Sequence, residues 1–393
     1  MPSGEPPSVP RFEFATAQRI VFGVGVRAEL PALAAGFGRR VLIVTGAQPD
    51  RQRALLDTLR GTVEAVVVFP VAGEPTVALV EAGAAQARAA RCNVVVALGG
   101  GSAIDAGKAI AALATNPGEA LDYLEVVGRG RPLVQVSLPF IAVPTTAGTG
   151  AEATRNAVLA VPAAKVKVSL RSAAMLPRVA LVDPSLALGL PAAVTAATGL
   201  DALTQLVEAF LSCRANPMTD ALCAASIGPV ARALPRAVAQ PDDLAARSDL
   251  ALGALHSGIA LANAGLGAVH GFAAPLGGMF GAPHGAVCAA LLGPVLRTNL
   301  GALRARTPQH PALARMELVA RWLTADATAT ADSAAPWCDA LVRRLAIPSL
   351  RAWGVRADDV APLVEKAAAA SSMKGNPLPL TATELATALA AAL

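Results

Sequence analysis

Residues 250–296 constrain the fold more than any other part of the chain, because this stretch contains no Asp, Glu, Lys or Arg. It also holds His256, His270 and His284, three of the four histidines in the sequence. A bilayer span needs about 20 apolar residues, but Gly, Pro, Asn and His recur here every few positions and no apolar run has a basic flank. The pattern predicts buried core helices of a globular protein, with breaks or turns at the HG of His270 and the PHG of His284. A histidine in such surroundings is either a hydrogen-bonded core residue or a metal ligand in a dry pocket.

Size and charge narrow the class of protein. A chain of 393 residues exceeds the usual size of a single core, so we expect two domains. An apolar content of 54% predicts a well-filled core, with a tail over the first ten residues. The charge of +5 comes from scattered arginines with only 3% aromatic residues, which does not indicate a nucleic-acid surface. The start of the chain has Glu5 and prolines instead of a basic, apolar signal, so we expect a cytoplasmic protein that does not act at a membrane.

The cysteines indicate a reducing compartment. Their number is odd, their spacing is wide and they form no CxxC pair, so the pattern predicts neither a disulfide framework nor a zinc ribbon. We interpret them as small buried hydrophobic residues. They are Cys92, Cys213, Cys223, Cys288 and Cys338.

The first half of the chain alternates short apolar runs with Ala-rich segments of helical length. The runs are RRVLIVTG at 39–46, VEAVVVFP at 63–70, NVVVALGGG at 93–101 and PFIAVPTT at 139–146. Strands that are apolar on both faces and separated by helices predict a doubly wound, Rossmann-like α/β domain with a parallel sheet. After two prolines near residues 184–191 the pattern becomes helical throughout. We therefore predict an α/β domain over residues 1–187 and an all-α domain over residues 188–393.

Two loops follow apolar strands of this predicted sheet. Gly99, Gly100, Gly101 and Ser102 open a helix, where free backbone N–H groups favour a phosphate or pyrophosphate, although glycine clusters are also common structural turns. The segment 144–154 places the hydroxyls of Thr145, Thr146 and Thr149 among further glycines. Two such loops on neighbouring strands are typical of a nucleotide crevice, and the alternative is a pair of ordinary tight loops.

A helix that begins near Ala193 carries an acid among apolar residues. Asp201 and Gln205 are four positions apart in TGLDALTQLVEAF and therefore share one face. A carboxylate buried on such a helix needs a partner or a cation, whereas an exposed Asp near a helix start needs neither.

The order of the motifs resembles the iron-containing (group III) alcohol dehydrogenase family over nearly the whole chain. The matching segments are FGVG near the start, GGGSAIDAGK at 99–108, PTTAGTGAEAT at 144–154, ALVDP at 180–184, TGLDALT at 198–204, NAGLGAVHG at 263–271 and APHG at 282–285. The resemblance implies an N-terminal dinucleotide-binding α/β domain, a helical metal- and substrate-binding domain, and an active site in the cleft between them.

The resemblance also implies roles for single residues. Gly99, Gly100, Gly101 and Ser102 would hold the pyrophosphate. The rest of the cofactor site would include Thr145, Thr146, Thr149, Asn156, Lys167 and Leu186. The family binds a divalent metal, iron (Fe²⁺) or zinc (Zn²⁺), through positions that are occupied here by Asp201, Gln205, His270 and His284. Of these, Asp201, His270 and His284 are the expected catalytic residues.

Three positions depart from the family pattern. Gln205 replaces a usual ligand histidine with a weaker, neutral amide, so we expect weaker binding of iron or zinc, or none. Ala274 replaces a histidine near the substrate, which leaves the proton relay absent or rerouted through water or His256. Gly46 stands where members that prefer NAD often carry an Asp; without that carboxylate, and with Arg51 or Arg53 nearby, NADP is favoured over NAD.

These features predict an NAD(P)-dependent alcohol dehydrogenase or aldehyde reductase. It would transfer hydride between nicotinamide and a small, fairly apolar alcohol or carbonyl compound with the help of a metal, and it would assemble as a homodimer or larger. The alternatives are a metal-independent reductase of the maleylacetate reductase type and a nucleotide-binding homologue without redox activity.

Overall fold

The structure, a computed structural model, describes residues 11–164 and 166–393. Eight strands fall within these residues: β1 Arg19–Phe22, β2 Arg40–Gly46, β3 Ala65–Val71, β4 Val94–Gly99, β5 Phe140–Pro144, β6 Asn156–Val161, β7 Val166–Arg171 and β8 Val179–Val182. Six of them form a parallel sheet in the order β1-β8-β5-β4-β2-β3. The four predicted apolar runs are β2, β3, β4 and β5, so the prediction of a parallel sheet in the first half is confirmed.

Helices cover both faces of this sheet. They are α1 Leu30–Phe37, α2 Arg53–Thr62, α3 Val77–Ala89, α4 Gly101–Thr115 and the short α5 Ala120–Tyr123. On β2, Val41 and Ile43 pack with the buried side chains of α1 and α2. The alternate residues Leu42 and Val44 pack with those of α3 and α4 on the opposite face. Burial on both faces explains why these strands are apolar throughout, and the doubly wound arrangement is as predicted.

The strand order reverses next to β2. The chain runs from β2 outward to β3 and then returns to place β4 on the other side of β2. In doubly wound sheets such a reversal opens a crevice at the carboxyl ends of the two strands, where ligands bind. Gly46 ends β2 and Gly99 ends β4, so both glycines lie at this point.

A two-stranded antiparallel sheet, β6 with β7, was not predicted. The prediction of strands rests on segments that are apolar on both faces, and β7 alternates instead. Val168 and Leu170 are buried, whereas Lys167 and Ser169 between them are half-buried and Arg171 is exposed. This alternation is the signal for a strand with one covered face.

The second half contains α-helices and short 3₁₀ turns, with no strand after β8 among the described residues. The helices are α6 Ala192–Leu211, α7 Pro217–Ala239, α8 Leu244–Ala264, α9 Ala268–Phe280, α10 His284–Arg306, α11 Ala312–Thr324, α12 Ala334–Arg344, α13 Val360–Ala369 and α14 Ala382–Ala390. The predicted boundary between residues 187 and 188 lies in the connection from β8 to α6. The division into two domains at that residue stays a prediction.

The uncharged stretch forms part of α8, all of α9 and the start of α10. By length and composition α10 could cross a membrane, and α8 with α9 would make a span bent by 101°. However, 78% of the apolar segment of α10 is buried inside the protein. These are core helices, as predicted.

One of the two predicted breaks in this stretch is wrong. The PHG of His284 does start a new helix, but the HG of His270 lies inside α9. The break falls earlier, at Gly265, whose φ of +70° ends α8. The Gly271 N–H donates to the Gly267 carbonyl as in a regular helix, so Gly271 does not interrupt α9.

Candidate active site

The glycine-rich crevice lies at the ends of β2 and β4. A methyl group at Gly99 would lie 2.6 Å from Ala103 Cβ on α4 and 3.1 Å from the backbone nitrogen of Gly46, so the missing side chain lets β2, β4 and α4 pack closely here. The Gly99 carbonyl accepts a hydrogen bond of 2.9 Å from the Thr145 N–H, which ties the next strand end to the same place.

The two predicted cofactor loops pack against each other. Gly100 caps α4, and Gly101 and Ser102 form its first turn. A methyl group at Gly100 would lie 3.3 Å from Thr146 Oγ1, and one at Gly101 would lie 2.8 Å from Thr149 Oγ1. The structure thus brings these glycines and hydroxyls together at the N-terminus of a 15-residue helix, where backbone N–H groups without helical partners favour an anion.

Lys108, which the sequence analysis did not single out, fixes the second loop onto α4. Its Nζ donates to the carbonyls of Ala151 at 2.9 Å and Asn156 at 2.5 Å, and to Thr154 Oγ1 at 2.8 Å. Burial lowers the pKa of Lys108, and the carboxylate of Asp105 at 3.5 Å opposes that effect. Lys108 is therefore a buried structural residue, and the backbone carbonyl of the predicted cofactor residue Asn156 is one of its hydrogen-bond acceptors.

The other two predicted cofactor residues have different surroundings. Lys167 on β7 forms a 2.6 Å ion pair with Glu74, and its Nζ lies against α9, 2.7 Å from where a methyl group on Gly277 would be. Leu186 follows β8 and is buried in the apolar core on the α1 and α2 face. Contact of either side chain with a cofactor stays a prediction.

The three predicted catalytic residues meet although they come from three helices. Asp201 Oδ1 on α6 lies 3.3 Å from His270 Nε2 on α9 and 3.6 Å from His284 Nε2 on α10. A fourth donor, Cys288 Sγ, lies 3.6 Å from His270 Nε2 and 3.8 Å from His284 Nε2. One donor atom from each of these residues lies within 4.8 Å of the others.

These separations suit a single divalent cation. Tetrahedral zinc has bonds of about 2.0–2.1 Å to nitrogen and oxygen and about 2.3 Å to sulfur, so neighbouring donors lie about 3.4 Å apart for N and O and about 3.6 Å apart for N and S. The N–O distances of 3.3 and 3.6 Å and the S–N distances of 3.6 and 3.8 Å are close to these two values. The donor set therefore fits a metal of the zinc or iron type.

Glu208 orients one of the imidazoles. Its Oε2 lies 2.6 Å from His270 Nδ1, and its Oε1 accepts a 2.7 Å hydrogen bond from the Val269 N–H. A carboxylate only accepts, so His270 Nδ1 donates and Nε2 is the atom that faces Asp201. Such a carboxylate–histidine pair is the usual support of a metal-binding imidazole.

Charge within the cluster outweighs the effect of burial. Burial alone would raise the pKa of Asp201, but the charges of His284 and His270 lower it below its ordinary value. Burial alone would lower the pKa of His284, but Cys288 and Asp201 raise it to about 9. The pKa of His270 is also raised well above its ordinary value by Cys288, Asp201 and Glu208 against the effect of burial. A cation that binds the imidazoles must therefore displace protons.

The residues that depart from the family pattern lie as follows. Gln205 is buried on α6, and its Oε1 lies 3.0 Å from the hydroxyl of Ser257 on α8. Ala274 is half-buried on α9, one turn after His270. His256 hydrogen-bonds through Nδ1 to Ser226 Oγ on α7 at 2.7 Å, so its known contact is with a neighbouring helix and not with the cluster.

The glycine-rich crevice lies next to the cluster formed by Asp201, His270, His284 and Cys288. A methyl group at Gly148 in the second loop would lie 2.8 Å from Thr198 Cβ, three residues before Asp201 on α6. A methyl group at Gly150 would lie 2.4 Å from the backbone nitrogen of Gly258 on α8. The loop backbone thus rests directly on both helices.

Among the cysteines, two differ from the prediction of small buried hydrophobic residues. All five are free, but Cys213 is exposed just after the end of α6. Cys288 is buried, yet it contacts two imidazoles instead of apolar side chains alone. A usable signal for Cys288 was its position four residues after His284, and for Glu208 its position two turns after Asp201.

Comparison with known proteins decides the family. The profile of the iron-containing alcohol dehydrogenase family matches residues 17–184, and that of its C-terminal region matches residues 195–393. The chain belongs to the iron-containing alcohol dehydrogenase family. It is therefore an oxidoreductase that acts on CH–OH groups.

Individual members of this family are similar over different lengths. A 1,3-propanediol dehydrogenase of Klebsiella pneumoniae is 42% identical over 67% of this chain and 68% of its own. A solved 1,3-propanediol oxidoreductase superposes with a TM-score of 0.89 at 34% identity, covering 98% of this chain and 100% of that one. A sulfoacetaldehyde reductase of Bifidobacterium kashiwanohense, solved with NAD⁺, has a TM-score of 0.85 at 30% identity and covers 98% of this chain and 99% of its own. Sequence alignments with four relatives of this family span 61 to 68% of those proteins.

Proposed function

We propose that this dehydrogenase interconverts small alcohols and carbonyl compounds with a nicotinamide dinucleotide, and that Asp201, His270 and His284 hold a divalent metal at the reacting oxygen. The observation that carries the proposal is the meeting of these three side chains beside the glycine-lined crevice, since the first loop binds phosphates in such sheets and the second loop touches α6. When bound, the metal would supply Lewis-acid polarisation of the carbonyl and stabilise the charge that develops on its oxygen.

The chain's own residues supply binding, orientation and exclusion of water. In the crevice, the first turn of α4 would bind the pyrophosphate through its N–H groups. In the cluster, the Asp201 and His270 side chains are 2% and 6% exposed, so their charges act in a dry environment, whereas the His284 side chain is 39% exposed. The substrate would therefore enter on the His284 side, because the other donors are enclosed.

The proton needed to complete reduction of a carbonyl compound to an alcohol would come from solvent on the His284 side. Ala274 has no group that can carry a proton, and His256 is bonded to Ser226. We expect no second imidazole relay in this protein.

The cofactor preference is proposed to be NADP over NAD. Gly46 is half-buried at the end of β2 with no atom within 4 Å of where a side chain would begin, so no carboxylate repels a 2′-phosphate there. Arg51 is exposed in the following turn, while Arg53 forms a 2.9 Å ion pair with Asp50. Arg51 is therefore the better candidate for a phosphate contact.

The deciding experiment is a steady-state screen of small alcohols and aldehydes with NADPH and NADH, with and without added Fe²⁺ or Zn²⁺. We expect turnover that depends on metal. Full activity of metal-free protein would favour a reductase of the maleylacetate reductase type. Binding of cofactor without turnover of any substrate would favour a redox-inactive homologue. Cytoplasmic location and assembly as a homodimer or larger stay predictions.

A further inference from the structure

We propose that Cys288, and not Gln205, is the fourth ligand of the metal, so that a carboxylate, two imidazoles and a thiolate surround the ion. The inference rests on the proposed function, since it concerns the same cluster. It changes the donor set expected from the family resemblance, in which the ligand position on α6 is occupied here by the neutral amide of Gln205.

The first argument is distance. Cys288 Sγ lies 3.6 Å from His270 Nε2 and 3.8 Å from His284 Nε2, close to the separation of about 3.6 Å between sulfur and nitrogen donors on one tetrahedral zinc ion. Neither contact is a strong hydrogen bond, because thiols are weak donors and acceptors. Coordination of one cation by all three groups explains better why the sulfur faces both imidazoles.

The second argument is helix geometry. His284 and Cys288 are four residues apart on α10, so both project from one face of that helix. Gly285, between them, lies so close to α6 that a methyl group there would be 2.2 Å from the Ala197 carbonyl oxygen. This close approach puts the face that carries both donors against Asp201.

The third argument is that Gln205 has another partner. Its Oε1 lies 3.0 Å from Ser257 Oγ, and both side chains are buried between α6 and α8. In this arrangement the oxygen that could coordinate a metal lies beside a hydroxyl on α8, which also lies 2.8 Å from the Ala254 carbonyl. The expected pair of ligands four residues apart on α6, Asp201 and Gln205, is thus replaced by a pair four residues apart on α10. That pair is His284 and Cys288.

The charges favour the same assignment. Asp201 and a Cys288 thiolate would supply two negative charges directly to the ion, whereas Asp201 and Gln205 would supply one; the Glu208 carboxylate behind His270 is the same in both cases. A thiolate is also softer than an imidazole or an amide, so the site should prefer Zn²⁺ or Co²⁺ over harder cations.

Cobalt provides the test because a thiolate bound to Co²⁺ gives charge-transfer absorption in the near ultraviolet and a carboxylate or imidazole does not. We expect this absorption in the wild-type protein and in Gln205→Ala, together with one equivalent of cobalt. We expect Cys288→Ser to lose the absorption and to bind cobalt at least about tenfold more weakly. Cys338→Ser is the matched control, since Cys338 is buried in the apolar helical core, and it should behave as wild type.

A second measurement covers the case in which Cys288→Ser does not fold. In wild-type protein, Zn²⁺ should protect Cys288 from alkylation, as read by mass spectrometry of its peptide, while the exposed Cys213 is labelled with or without the metal. Because Cys288 is buried, the comparison is made at a urea concentration at which the metal-free protein does label it. Equal labelling of Cys288 with and without Zn²⁺ under that condition would overturn the proposal.

The outcomes separate this proposal from the function itself. Bound cobalt without thiolate absorption, or with absorption that survives in Cys288→Ser, overturns the role of Cys288 alone. Turnover of aldehydes by a protein that binds no cobalt overturns the metal site but leaves a reductase. Thiolate absorption with no turnover of any carbonyl supports Cys288 and contradicts the proposed activity.

Discussion

Glu208 and His270 form a 2.6 Å hydrogen bond that sets which nitrogen of the imidazole faces the cluster. The carboxylate is held on its other oxygen by the Val269 N–H, so it cannot swing away without breaking a second bond. Asp201 and Glu208 are two turns apart on α6, which places both carboxylates on the same side of the helix. One helix therefore carries both a proposed ligand and the residue that orients another.

Replacing Glu208 should weaken metal binding without removing a ligand. We expect Glu208→Ala to lower the affinity for Zn²⁺ by about 10- to 100-fold, because His270 loses the acceptor that fixes its tautomer. Competition with a chromogenic chelator measures the effect. Glu365→Gln, at an exposed position, is the control and should bind as wild type. Equal affinity in Glu208→Ala would show that the hydrogen bond does not support the metal.

The site was predictable where the motifs resemble those of the family, since no spacing in the sequence brings together residues from three different helices. Asp201, His270 and His284 lie together as expected. Cys288 and Glu208 were missed, because a Cys among apolar residues and an acid on a helix each have a commoner explanation. What distinguishes them is the packing of α6, α9 and α10, and those contacts join residues far apart in the sequence.

The fold was predictable wherever the apolar pattern extends over a whole element. Four of the six strands of the parallel sheet, β2 to β5, are continuous apolar runs and were predicted, whereas the edge strand β1 is short and partly exposed. The β6–β7 pair is half-covered, so its pattern is weaker and was overlooked. The break before α9 was misplaced because several glycines follow one another, and only Gly265 adopts a positive φ there.

A methyl group at Gly285 should disturb the cluster from the backbone. In Gly285→Ala the added carbon would meet the Ala197 carbonyl at 2.2 Å, which α10 can relieve only by moving away from α6. We expect the free energy of unfolding to fall by about 1–3 kcal/mol and metal affinity to fall with it. Gly301→Ala on the same helix has nothing within 4 Å and should be neutral or stabilising by up to about 1 kcal/mol. Chemical denaturation of both variants makes the comparison, and equal stabilities would contradict it.

An acid at position 46 should change the cofactor preference. Gly46→Asp has room for its side chain and would place a carboxylate at the end of β2, so we expect the ratio of kcat/KM for NADPH over NADH to fall by at least about tenfold. Gly61→Asp adds the same charge at an exposed position on α2 and should leave the ratio unchanged. An unchanged ratio in both variants would refute the account of Gly46.

Glu152 should make stability depend on pH. Burial raises its pKa from 4.5 to about 7, although its own backbone N–H and Lys108 oppose the rise. The unfolded chain thus loses this proton at a lower pH than the folded chain, so the wild type loses stability as pH rises from about 4.5 to 7. Since one pKa unit is worth about 1.4 kcal/mol, the loss is about 3 kcal/mol. The free energy of unfolding of Glu152→Gln relative to that of the wild type should therefore increase across this range, as measured by urea unfolding at several pH values. A difference that stays constant with pH would be inconsistent with the raised pKa.

The half-exposed position of His284 at the start of α10 bears on how the ion is acquired. With three donors enclosed and one open to solvent, an ion could leave or enter through that side while the helices stay packed. Chelation would then yield an inactive but folded protein that recovers when the ion is restored, unlike small zinc domains that unfold when stripped. Activity in the cell would follow the supply of free metal as well as the amount of polypeptide.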